Sequence, residues 1–330
     1  MNNRFVQPLR TVVQLAFLGI TIYIGFEFYR FVMFCKSGGA APLVTKPNGV
    51  EGFIPISGLL GLRDWITSGQ LNIIHPAATV ILLTVILLCL FLRRSFCSWI
   101  CPVGTVEEFL WKGGKGLFKR NFVLPKWLDF LFRGIKYVLL AFFLYFVFFA
   151  MSSDSVKDFI QSPYNRIADA KMLQFFLTIS GIALLVIIII IIASFFIKNF
   201  LCRYICPYGA LLGIVATLSP FKVTRAAAKC IKCGECNKNC PSLIKVMDKN
   251  RIYSPECVGC LSCISSCKTD NALVMASPVR RFKISGIVFG LLVVLFFTGG
   301  IFLGKVTGHW KSSVSPEECG TYLKMNIGHY

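Results

Sequence analysis

The chain has 330 residues, 55% hydrophobic and only 15% charged. A soluble domain is about 45–50% apolar and about 25% charged, so an ordinary soluble enzyme and a disordered chain are both excluded. Thirty-five Lys and Arg stand against 15 Asp and Glu, a net charge of +20; in so apolar a chain this reads as basic loops beside membrane spans, not as a nucleic-acid-binding face.

A membrane helix needs about 20 mostly apolar residues. Five stretches qualify: roughly 12–34, 77–94, 134–151, 173–197 and 284–304. The first has too long an apolar run, and no small-residue cleavage site, for a removable signal peptide. Loop charge then sets orientation. Stretch 92–133 carries eight Lys/Arg and 198–283 carries fourteen, whereas 35–76, 152–172 and 305–330 carry three each. The positive-inside rule places the two basic stretches and the N-terminus in the cytoplasm, with the C-terminus outside. The expected location is a bacterial cytoplasmic (inner) membrane, crossed several times. Segments near 53–69 and 154–169 are too polar to span and read as surface helices.

Two segments repeat at an offset of 105: Phe96 to Gly104, reading FCSWICPVG, and Leu201 to Gly209, reading LCRYICPYG. The shared pattern is CxxxCP followed by Gly. It predicts that spans one and two repeat in parallel as spans three and four, about an axis along the membrane normal. Cysteines at i and i+4 share a helix face. Cys97, Cys101, Cys202 and Cys206 can therefore converge as metal ligands. Pro102 and Pro207 are expected to end their helices, and Gly104 and Gly209 to turn the chain. Small buried thiols would also fit, but two matched pairs favour a shared iron–sulfur or other metal centre.

Between spans four and five, Cys230, Cys233, Cys236 and Cys240 spell C-x2-C-x2-C-x3-C, followed by Pro241. Cys257, Cys260, Cys263 and Cys267 repeat that spacing, followed by Lys268. This is the bacterial two-cluster pattern, in which the fourth Cys of each run ligates the other 4Fe-4S cluster. One cluster takes Cys230, Cys233, Cys236 and Cys267; the other takes Cys257, Cys260, Cys263 and Cys240. Structural zinc, which uses separated C-x2-C pairs, explains the eight cysteines less well. Residues 222–283 carry twelve Lys/Arg against four Asp/Glu, which suits anionic lipid or an acidic redox partner.

These motifs together, over roughly residues 70–280, resemble the NapH-type membrane polyferredoxins. Relatives in that family serve periplasmic nitrate reductase, nitrous oxide reductase and cytochrome oxidase maturation. The resemblance implies membrane electron transfer from a quinol or ferredoxin-like donor towards a membrane or periplasmic cytochrome, within a complex of several subunits. It makes the chain an electron-transfer subunit of an oxidoreductase, a candidate quinol dehydrogenase. This chain departs by a fifth span with an outer tail. It also lacks the flavinylation motif of larger relatives, so no covalent FMN is expected.

The expected fold is thus an all-α polytopic membrane protein with five spans, a two-helix parallel repeat plus one, carrying a small α+β two-cluster ferredoxin insert. The pieces are 1–110 and 111–221, each with a CxxxCP motif, the insert 222–283, and the last span and tail 284–330. No nucleophile–base set, phosphate loop or nucleotide fingerprint is visible. All cysteine clusters fall at or below the inner surface, so an outward route across about 30 Å of hydrocarbon needs a quinone, a haem or a partner's cofactor. His75, His309 and His329 fall on the outer side. His75 and His309 are candidate haem ligands, although surface histidines are the plainer reading. Glu27 and Arg30, at i and i+3, are a candidate quinone site or a self-neutralising pair. Cys89 reads as packing, and Cys35 and Cys319 as able to pair. A maturation factor that reduces a metal or thiol is the alternative function.

Overall fold

The computed structural model describes residues 5–37, 42, 44–278 and 282–325. Among the described residues, three helices are long and apolar enough to cross a membrane: Val6–Ser37, Lys126–Ala150 and Gly286–Val306. Each contains most of a predicted stretch. The second stretch forms a 17-residue helix, Pro76–Leu92. The fourth is broken, into Ala168–Leu177 and Gly181–Phe196, bent by 84°. The break has a local cause. Thr178 turns its hydroxyl back to the Gln174 carbonyl, and the Ser180 hydroxyl accepts from the Ala183 N–H, capping a new helix.

The chain divides into two compact units. One comprises Met1–Leu18, Val85–Leu140 and Val186–Phe297. It holds both CxxxCP motifs and the insert. The insert contains a three-stranded antiparallel sheet, Lys222–Arg225 beside Leu273–Ala276 beside Lys283–Ile284, with Lys222 opposite Ala276. Val223, Val246, Ile252, Leu273 and Met275 are buried.

The two cysteine runs repeat each other in conformation. Each C-x2-C-x2-C loop has two left-handed residues, Lys232 and Gly234 in the first and Gly259 and Leu261 in the second. Each then enters a single helical turn, Glu235–Lys238 or Ser262–Ser265. Two reversals of backbone hand within five residues curl each loop about its sulfurs. Glycine takes that conformation without strain, and it occupies a different one of the two positions in each run.

The other unit comprises Gly19–Thr84, Ala141–Leu185 and Thr298–Tyr330. The two polar stretches are helical here, as Pro55–Ser68 and as Ser153–Gln161 with Pro163–Arg166. Ser152, Ser162 and Ser315 cap their helices, Ser315 in a full capping box with Glu318. Arg63 donates to the Val147 and Met151 carbonyls, satisfying the C-terminal end of Lys126–Ala150.

Candidate metal centres

In the insert, Cys230, Cys233, Cys236 and Cys267 line one hollow of about 360 Å³, with Ile231, Met247 and Leu273 among its walls. Cys240, Cys257, Cys260 and Cys263 line a second of about 370 Å³, walled by Val223, Ile244, Val246 and Ile252. The fourth cysteine of each run therefore faces the other run's three. No Asp, Glu or His lines either hollow, so the donor sets are purely thiol. Burial pushes the Cys240 thiol up to about 12 and raises Cys260 and Cys263 as well. Sulfurs this desolvated ionise only against a bound cation. At the rim, the Lys232 amide and then Arg225 pull Cys230 the other way.

Sulfur spacing separates the metal chemistries. Among the described residues, one group of three or more His, Cys, Asp or Glu has its ligand atoms all within 4.8 Å of each other, and it is Glu51, His75 and Asp169. No three cysteine sulfurs come so close. Thiolates on one zinc ion at about 2.3 Å would lie about 3.8 Å apart. The wider spread fits ligands at separate corners of a polynuclear cluster.

At the CxxxCP motifs the prolines act differently from expectation. Phe96–Trp99 makes one turn, Cys101 is extended, and Pro102 opens the helix Pro102–Phe118. In the second copy Leu201–Ile205 makes one wide turn, Cys206 is extended, and Pro207 opens Pro207–Thr217. Proline suits a first helical position, where its missing N–H would be unbonded anyway. The Cys-Pro step thus sets a sulfur at a helix N-terminus, where amides and dipole favour a thiolate. The Gly209 N–H lies 3.3 Å from Cys206 Sγ. Gly104 and Gly209 lie inside these helices, not at turns. A Cβ on Gly104 would sit 2.1 Å from the Cys97 carbonyl oxygen, and one on Gly209 2.6 Å from Arg94 Nη2.

The four motif thiols feel one another. Cys101 is pushed up to about 12, first by burial and then by Cys97, with Cys206 adding to it. Buried Arg94 is the positive group among them, with Nε 3.4 Å from Cys97 Sγ and Nη2 donating to the Cys202 carbonyl at 3.2 Å. Glu107 joins the two copies. Its carboxylate accepts from the Leu201 and Cys202 amides at 2.5 and 3.1 Å and from the Ser194 hydroxyl at 3.1 Å.

The insert is fastened to these motifs by buried bonds. Ser98 donates to the Val258 carbonyl at 2.6 Å, and the Trp99 indole to the Gly259 carbonyl at 3.2 Å. Arg93 donates to the Ser254 carbonyl at 2.9 Å, and Gln7 to the Cys260 carbonyl at 3.0 Å. Lys136 pairs with Glu256 of the insert, while Arg10 pairs with Glu108 beside the first motif. Cys97, Cys202 and Cys260 line one shared hollow, together with Val258 and Pro241. Sequence reasoning missed Arg94, Glu107, Glu108, Lys136 and Glu256. The available signal was charge in apolar surroundings: Lys136 lies inside a predicted span, and Arg94 ends another.

The remaining candidates separate. Glu27 and Arg30 form an ion pair at 2.9 Å, with Arg30 substantially exposed, the self-neutralising arrangement. His75 is fully buried with both ring nitrogens engaged, Nδ1 near Glu51 and Nε2 near the Asn165 carbonyl. That geometry does not fit a haem ligand, which needs a free nitrogen lone pair. His309 is exposed, and His329 lies outside the described residues. Cys35 and Cys319 share one buried apolar cluster with Phe28, Phe31 and Ile167. Cys89 is fully buried.

Comparison with known proteins gives matches that fall on these motifs. A family model described as a 4Fe-4S binding domain matches residues 74–125 and 179–225, one copy per CxxxCP motif. A 4Fe-4S dicluster domain matches 222–268. The putative electron transport protein YccM of Escherichia coli (strain K12) is 41% identical over 314 residues, 94% of this chain and 87% of that protein. The ferredoxin-type protein NapH of the same organism is 26% identical over 226 residues, 66% of this chain and 74% of its own length. Protein NirI of Paracoccus denitrificans (strain Pd 1222) is 28% identical over 230 residues, 68% of this chain but 33% of NirI. No solved structure matches.

Proposed function

Because the chain belongs to the NapH-type 4Fe-4S electron-transfer family, we propose that it is a membrane relay with three iron–sulfur centres in series. The observation that carries this reading is the hollow shared by Cys97, Cys202 and Cys260. This shared lining supports a reading in which the second insert centre and a CxxxCP centre follow one another directly.

A 4Fe-4S cluster, when bound, supplies reversible one-electron exchange. Cys230, Cys233, Cys236 and Cys267 hold the first, and Cys257, Cys260, Cys263 and Cys240 the second. Cys97, Cys101, Cys202 and Cys206 hold the third. Arg94 offsets thiolate charge there, and the two helix N-termini direct amides at the sulfurs. The apolar walls keep water away and let residue charges act at close range. The working pieces are residues 1–110, 111–221, 222–283 and 284–330.

In this reading five segments cross a bacterial inner membrane, counting 76–92 and the bent pair, with the repeat parallel. The basic stretches 92–133 and 198–283 face the cytoplasm and the C-terminus faces out. Electrons pass between a quinol or ferredoxin-like partner and a membrane or periplasmic cytochrome in a larger complex. A quinone carries the step that the cysteines do not reach. The test is iron per chain on anaerobically purified protein, with redox-titrated EPR. About twelve irons and a third signal lost in Cys101→Ser are expected; about eight irons, with no signal beyond the two insert clusters, would overturn the third centre.

A further inference from the structure

Away from the cysteine sites, one buried cluster of ionisable groups has no assigned task. Glu51 and His75 are 0% exposed and Asp169 3%. Lys46 reaches both carboxylates, its Nζ 3.0 Å from Glu51 Oε1 and 2.6 Å from Asp169 Oδ2. Burial works against that ammonium, but Asp169 and Glu51 outweigh it and hold its pKa above the ordinary lysine value. The ammonium already sits between the two acids, where a metal ion would have to go.

His75 fixes the proton count. Its Nε2 lies 2.6 Å from the Asn165 carbonyl oxygen. A carbonyl only accepts, so Nε2 bears hydrogen. Its Nδ1 lies 3.1 Å from Glu51 Oε1. With His75 neutral and Glu51 ionised, a nitrogen lone pair would face an anionic oxygen with no hydrogen between them. One more proton, on Nδ1 or on Glu51, turns that repulsion into a hydrogen bond.

Charge gives the same count independently. Lys46 and Asp169 cancel. The Glu51–His75 pair is neutral with the proton and −1 without it, and a bare buried charge is costly. The other contacts leave the sum unchanged: the Ala78 amide faces Glu51 Oε2 and the Ala170 amide faces Asp169 Oδ1. The thiols of Cys35 and Cys319 also interact with Asp169 and Lys46.

We propose that Glu51 and His75 form a proton-binding site that holds one exchangeable proton, with Lys46 and Asp169 tuning its affinity. The site is independent of the iron centres, and so is its test. Full-length protein carrying His309→Gln and His329→Gln is ¹⁵N-histidine-labelled and titrated in lipid nanodiscs by NMR and infrared spectroscopy. At neutral pH, Nε2–H is expected together with either Nδ1–H or a carboxylic C=O band absent from Glu51→Gln. Raising the pH should remove this proton in one step. Lys46→Met should move the step up and Asp169→Asn should move it down, each by at least about one pH unit. Glu51→Gln, whose amide still donates to Nδ1, should fold and lose the step. A neutral imidazole beside an ionised Glu51 at neutral pH would overturn the proposal. So would a step that neither charge variant moves, or stoichiometric zinc or manganese that His75→Gln abolishes.

Discussion

The Lys136 ammonium lies 2.7 and 2.8 Å from the two carboxylate oxygens of Glu256. One residue belongs to the helix Lys126–Tyr145, and the other directly precedes Cys257. The pair is buried, so it sets the position of the second cysteine run instead of decorating a surface. Lys136→Met should leave buried Glu256 with only Arg94 at 4.0 Å and the Tyr137 hydroxyl at 3.4 Å, at up to about 3 kcal/mol. Thermal melts in detergent should show the loss, together with weaker iron retention. The double variant Lys136→Met/Glu256→Gln should recover most of it; a double variant as unstable as the single would remove the pairing explanation.

Ligand changes should subtract iron in steps. Cys233→Ser should damage the first insert centre and stop electron flow. Cys101→Ser or Cys206→Ser should each lower iron from about twelve to about eight per chain and abolish electron transfer. Iron assay with single-turnover reduction tests both. Full transfer in the two motif variants would leave their sulfurs without a redox task.

The two motif glycines should respond unequally to alanine. On Gly104 the new carbon meets a backbone carbonyl, and on Gly209 the end of an arginine side chain. Backbone cannot yield without distorting Cys97, whereas Arg94 has rotamers to explore. Gly104→Ala should therefore lose the third centre outright, and Gly209→Ala should keep it with a shifted EPR signal.

Glu108 predicts an acid-side loss of stability. Burial resists its ionisation, yet Arg10 and then Lys112 outweigh it and bring its carboxyl down to about 2. A folded pKa below the unfolded one, about 4.3, means that the contribution is complete above the unfolded value. It fades as pH falls towards about 2, and is of the order of 3 kcal/mol in all. The stability difference between wild type and Glu108→Gln should shrink over that window. A difference independent of pH there would show that the carboxylate charge is not the source.

Cys35 and Cys319 offer a test of orientation. Their thiols meet in one buried cluster. If that side of the protein faces an oxidising compartment, mass mapping without reductant should find them joined. Two free thiols in protein isolated from cells would argue for a reducing side.

Much of this was legible in the residues. The repeated C-x2-C-x2-C-x3-C spacing marked the eight insert cysteines as a two-cluster set, which the dicluster family model also matches. The internal repeat was equally plain, since an offset of 105 held through both motifs. Helix breaks were harder. The run around Ile189 is apolar enough to hide a capping signal as small as Ser180. A proline between two helical stretches can close one or open the next, and local spacing does not choose between them; Pro102 and Pro207 open. Buried partners such as Glu107 with the Leu201 amide join residues nearly a hundred positions apart, and no local pattern records them.

The fastening of residues 254–260 by Gln7, Arg93, Ser98, Trp99 and Lys136 has a kinetic meaning. A tethered carrier that swings between donor and acceptor is slowed by a viscous medium. A bolted one is not, because nothing has to diffuse between its stations. Transit along this chain should be indifferent to added glycerol, leaving arrival of the donor as the viscosity-sensitive event. Cys233 is the one exposed thiol among the fifteen cysteines, and Ile231, Lys232 and Lys238, near it in sequence, are exposed as well.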